Sequence, residues 1–70
     1  MERVFIDTEF ITLGQFLKFS GLISNGSEAK FYLQTVKIMV NNEPEDRRGR
    51  KLYPDYEVKI GKKAFLICKR

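Results

Sequence analysis

The sequence predicts an α+β fold, two short helices packed on a small antiparallel sheet. Three observations carry the prediction. Two successive segments begin with helix-capping chemistry, the hydrophobic period changes from helical to alternating near residue 37, and the C-terminal third holds two more alternating runs parted by turn residues.

Taken in order, RVFI (residues 3–6) is rich in strand formers and reads as a short first strand. In ITLGQFLKFSG, Thr12 can cap a helix, Gln15 three residues on completes a capping box, and Ile11 and Phe16 stand at hydrophobic-staple spacing. Leu13, Phe16, Leu17 and Ser20 then share one face, and Gly21 is a natural left-handed terminator. The second helix begins in LISNGSEAKFYLQTV, with Asn25 as cap and Glu28 at the capping-box position. Its buried stripe is Ala29, Tyr32, Leu33 and Val36, which turns Lys30, Phe31 and Gln34 outward.

From Lys37 the period is two, with Ile38 and Val40 on the inner face of a strand and Asn42 opening a turn. Residues 43–51 contain Pro44 and Gly49 and no apolar residue, so an exposed loop is expected there. Leu52 and Tyr53 re-enter the core, Pro54-Asp55 turns, YEVKI alternates, and Gly61-Lys62-Lys63 connects by a hairpin to AFLICKR. No repeat or linker divides the chain, which is expected to be a single domain over residues 1–70.

Charge is placed unevenly. Residues 1–29 carry two cations against four acids, whereas residues 30–70 carry eleven cations against five acids, so the C-terminal part is the basic pole of a chain with net charge +4. Lone Cys68 forms no internal disulfide, and no apolar run approaches a signal core or a membrane span. A reducing cytoplasm is the expected compartment, with no membrane partner.

The composition argues against an enzyme. The chain has no histidine, so acid–base chemistry at neutral pH would need a retuned carboxylate, lysine or thiol. One cysteine without histidine is not a conventional zinc set, and there is no GxGxxG or Walker loop. No cofactor is expected.

What the residues do offer is phosphate-binding chemistry. Asn25 to Ser27 stand at a helix N-terminus, where backbone donors and dipole point at the same space, and Lys30 lies one turn on. The run EPEDRRGRKLY places Glu43, Glu45 and Asp46 before Arg47, Arg48, Arg50 and Lys51, a local sum of +1. A self-neutralised loop satisfies that sum. The preponderance of arginine, whose planar fork suits bidentate phosphate contacts, fits a polyanion partner equally well.

The order of elements resembles the S4-type RNA-binding domain with its αL motif. The resemblance rests on Ala29, Tyr32-Leu33, Val36, Ile38, Val40 and Asn41-Asn42, on Leu13, Phe16, Leu17 and Ser20-Gly21-Leu22 upstream, and on Lys51-Leu52 through Pro54-Asp55 and Val58 downstream. It covers roughly residues 12–60 and is strongest toward short stand-alone bacterial, YaaA-like members, to which IDTEFITLGQFLK and DRRGRKLY are similar. Asn25-Gly26 stands where the family often has Ser-Arg, and Val36 occupies the place of a helix-stop glycine. A β-branched residue resists a left-handed conformation, so that helix is expected to end by another geometry.

The resemblance implies non-catalytic binding of structured RNA, ribosomal or transfer RNA, through a basic two-helix-and-loop face. The expected contacts are Asn25, Ser27, Lys30, Phe31, Gln34, Lys37, Arg47, Arg48, Arg50 and Lys51, the loop arginines replacing the missing helix arginine. The alternative is a protein-interaction adaptor that docks the same surface on a ribosomal or replication protein.

Overall fold

The computed structural model describes residues 1–70. Thr12 caps α1 (Leu13–Phe19) as its sequence predicts: the Thr12 hydroxyl accepts from the Gln15 amide at 3.2 Å, and the Gln15 side-chain oxygen accepts from the Thr12 amide at 2.8 Å. Leu13, Phe16 and Leu17 are fully buried. After the Ser20 cap, Gly21 takes φ 81°, a left-handed conformation that a side chain would strain.

The second helical segment opens as a 3-10 turn (Gly26–Glu28) and continues as α2 (Ala29–Thr35). Ala29 and Leu33 are buried and Tyr32 and Val36 pack half-buried on the core, while Lys30, Phe31 and Gln34 face outward as periodicity predicts. Val36 is extended, at φ −117° and ψ 128°, so the chain passes from helix into strand without a left-handed residue.

One five-stranded sheet carries the helices. It is formed by β1 (Glu2–Ile6), β3 (Ile38–Val40), β4 (Glu43–Pro44), β6 (Glu57–Ile60) and β7 (Lys63–Lys69), in the spatial order β1-β7-β6-β3-β4. Three of its four pairings are antiparallel. The expected all-antiparallel sheet is completed by one parallel pair, β1 beside β7, with Val4 opposite Ile67. A parallel pair needs a long crossover, and everything between the first and last strands serves as that crossover. A second, two-residue ladder that no local pattern announces joins β2 (Ile11–Thr12) to β5 (Lys51–Leu52).

Alternation fills the core. Val4, Ile6, Ile38, Val40, Val58, Ile60, Phe65 and Ile67 are buried beneath α1 and α2, with Phe16 meeting Phe65 edge-on at 5.2 Å between centroids. Asn41 and Asn42, at φ 51° and 68°, form the two-residue turn between β3 and β4, where asparagine tolerates the positive φ that a type I′ turn demands. Asp55, at φ 77°, closes the Pro54-Asp55 turn, with Tyr56 donating its amide to the Tyr53 carbonyl at 3.1 Å. No helix is long and apolar enough to cross a membrane.

Residues 43–51 are exposed as expected except at Glu45 and half-buried Arg50, but they are not all loop. Glu43–Pro44 is a strand, the Glu45 amide donates to the Ile38 carbonyl at 2.9 Å, and Glu45 is the one buried charged residue of the protein, at 8% exposure.

Candidate nucleic-acid interface

The arginine turn is fastened at both ends. At its C-terminal end Lys51 and Leu52 pair with Thr12 and Ile11. Within it, the Leu13 amide donates to the Arg50 carbonyl and the Gly14 amide to the Arg48 carbonyl, each at 2.8 Å. These amides belong to the first turn of α1, whose donors have no partner inside the helix. The turn therefore completes α1, and a Cβ on Gly14 would meet Arg48 Cβ at 3.4 Å.

Glu45 organises the side chains. Its carboxylate accepts from Arg47 Nε at 2.9 Å and Arg47 Nη2 at 3.1 Å, from the Arg47 amide at 3.1 Å, and from Arg50 Nη1 at 2.7 Å. Those hydrogen bonds, Arg47's first and Arg50's after it, hold the Glu45 carboxyl at about 2, below its ordinary 4.5 and against the upward push of burial. Both guanidinium groups are pushed up in turn by the Glu45 carboxylate. The acid fixes the two arginines without hiding the first: the Arg47 side chain remains 72% exposed and that of Arg50 only 26%. Arg48 and Lys51 make no ion pair.

Most of the residues expected to contact RNA line adjoining hollows around this segment. Lys30 and Gln34 of α2 share one of about 670 Å³ with Arg48 and Asp46. Lys37 lines its neighbour of about 240 Å³, which has Leu33 and Asp46 in common with the first. Arg47, Arg50 and Lys51 line a third of about 320 Å³. Phe31 stands apart from all three and is 70% exposed, so the core does not claim it.

Asn25 and Ser27 are exposed but occupied. Asn25 Oδ1 accepts from the Ser27 amide at 3.1 Å and from the Ser27 hydroxyl, while Glu28 Oε1 accepts from the Ser24 and Asn25 amides at 2.7 and 3.0 Å. The backbone donors that the sequence offers as free at Asn25 and Ser27 are thus spent on the cap, as is that of Ser24, because a capping box satisfies them locally.

Sequence reasoning misses Tyr53 and Tyr56, which line the third hollow, and Phe10, whose ring lies 5.6 Å from that of Tyr53. Lys51 Nζ sits 5.0 Å from the Phe10 centroid and Arg50 Cζ 5.9 Å from that of Tyr56. The signal is present in RGRKLYPDY, a basic run interleaved with aromatics, but by its pattern Tyr53 reads only as a core position.

Helices on one face of a sheet, with a cation-rich segment bonded to α1 and sharing a hollow with α2, is an arrangement suited to gripping a polyanion. The sequence profile of the S4 domain family matches residues 4–68. A Bacillus subtilis protein named "Probable ribosome maturation protein RlbA" is 54% identical over 55 residues, which cover 79% of this chain and 78% of that one. The chain belongs to the S4 domain family.

Proposed function

We propose that the protein binds structured RNA without catalysing a reaction on it, through the surface formed by α2 and residues 44–51, and that its target is ribosomal RNA. The observation that carries this reading is the meeting of Lys30 and Gln34 with Arg48 around one hollow, two segments of the chain aiming unpaired cations at the same space. The S4 domain match supports the RNA-binding reading, and the ribosome-maturation name of the relative favours ribosomal over transfer RNA.

Arg48 supplies the cation that the start of the second helix lacks, with Lys37, Arg47 and Lys51 extending the phosphate track and Arg50 held back by Glu45. Asn25 and Ser27, tied into their own cap, line none of these hollows and are no part of the track. A-form RNA hides its base edges in a deep groove, so such a track reads phosphate spacing and shape. Its affinity comes largely from displaced counterions.

Crosslinking the protein in cell extract, sequencing the attached RNA and identifying attached proteins tests the reading. Enrichment of ribosomal RNA fragments is expected. A protein-only outcome would replace it with an adaptor that docks through Phe31 and the acidic-then-basic loop.

A further inference from the structure

The hollow between the arginine turn and Tyr53–Tyr56 differs from the others. Its lining holds three cations, two aromatic rings and Gly49, and Glu45, the acid behind Arg47 and Arg50, lies outside the lining, whereas the α2 hollow is itself lined by Asp46 and the large groove beside β1 by Asp7 and Glu9. Cations beside two tyrosine rings suit a ligand with a flat ring and an attached negative charge.

The rings form a row. Phe10, Tyr53 and Tyr56 follow one another at 5.6 Å between centroids, with interplanar angles of 50° and 61°, so none lies flat on its neighbour. Lys51 stands over one end of the row and Arg50 over the other, and Arg50 is kept there by Glu45. At about 320 Å³ this hollow is at the small end of ligand sites, with room for one base and not for a paired helix.

We propose that this hollow receives one unpaired nucleobase of the bound RNA, walled by Tyr53 and Tyr56, with Lys51 and Arg47 on the adjacent phosphates. This rests on the RNA-binding reading and sharpens it. Phosphate contacts grip any A-form helix, while the hollow demands a bulge, loop or end whose base is free to leave the stack.

The test compares a blunt RNA duplex with the same duplex carrying one bulged adenosine, and includes free AMP as a competitor. The wild-type protein should bind the bulged duplex about 5- to 150-fold more tightly. Tyr53→Phe, which keeps the ring, should retain that preference, and Tyr53→Leu should lose it while binding the blunt duplex as before. Lys51→Gln, at an exposed position, should shrink the preference in a protein of unchanged fold. Equal affinity of the wild type for the two duplexes, or a preference untouched by Tyr53→Leu and Lys51→Gln, overturns the base site and leaves RNA binding standing. Failure to bind either duplex overturns both. Displacement of the bulged duplex by AMP at concentrations comparable to the RNA assigns the hollow to a free nucleotide and overturns the proposal.

Discussion

Arg50 donates a 2.7 Å hydrogen bond from Nη1 to the carboxylate of Glu45, the same carboxylate that takes Arg47 through two nitrogens. A segment whose acids nearly cancel its cations on paper is therefore divided by geometry. Glu45 turns inward and orders Arg47 and Arg50, while Arg48 and Lys51 make no ion pair. An arginine held in place gives up less conformational freedom on binding than one that must be gathered from solution.

Glu45→Gln should lower stability by about 1–2 kcal/mol near neutral pH, since an amide cannot satisfy two guanidinium groups at once. The effect has a definite pH window. The folded-state value of Glu45 is lowered to about 2 from 4.5, so its contribution is fully present above about pH 4.5 and is lost as pH falls through about 2. Chemical denaturation of both proteins across that range should show the difference constant above about pH 5, shrinking below it and gone only below about pH 2. A difference that persisted at the acid end would mean that packing, and not the carboxylate charge, is what Glu45 supplies.

Arg48→Glu and Arg47→Glu should separate binding from folding. Arg48 has no acidic partner, so its reversal should reduce the salt slope of RNA binding by about 0.7–0.9 for each phosphate it ceases to neutralise, and leave the melting temperature in place. Arg47→Glu should reduce the slope similarly and also lower the melting temperature, because it sets a carboxylate against Glu45. An Arg48 variant with the wild-type slope would remove that residue from the RNA face.

The local chemistry is legible because it is short-range. Thr12 with Gln15, Asn25 with Glu28, and the Ala29–Leu33 stripe announce themselves within a few residues, and each stands where its spacing puts it. The parallel pairing of β1 with β7 is not legible, since no local pattern says which distant strand RVFI will join. The burial of Glu45 is hidden for a related reason. A Pro- and Gly-bearing stretch without apolar residues reads as exposed, and what draws its backbone inward is the Ile38 carbonyl on another strand and the two first-turn amides of α1. The aromatic row joins Phe10 to Tyr53 across the β2–β5 ladder, a meeting made only once those strands have paired.

Thr12→Ala should cost about 1 kcal/mol of stability, the usual penalty for removing an N-cap that bonds the first turn. Its consequence should reach beyond α1. The Leu13 and Gly14 amides carry the Arg50 and Arg48 carbonyls, so amide hydrogen exchange at Leu13 and Gly14 should speed up in the variant. Unchanged exchange there would show that the arginine turn is held by the Lys51–Thr12 pairing and the Glu45 clamp, without help from the helix end.

Phe31→Ala tests whether the exposed aromatic of α2 belongs to the RNA face. The ring is 70% exposed and lines none of the hollows, so its removal should change stability by no more than about 0.5 kcal/mol. If it stacks on a base or packs on a ribose beside Lys30, affinity for a stem-loop should fall about 5-fold or more at an unchanged salt slope, because a ring displaces no counterions. A fall in affinity with a flattened slope would instead mean that removing Phe31 moves Lys30. Unchanged affinity in a protein of unchanged melting temperature would leave Phe31 outside the RNA-binding surface and free to meet a protein.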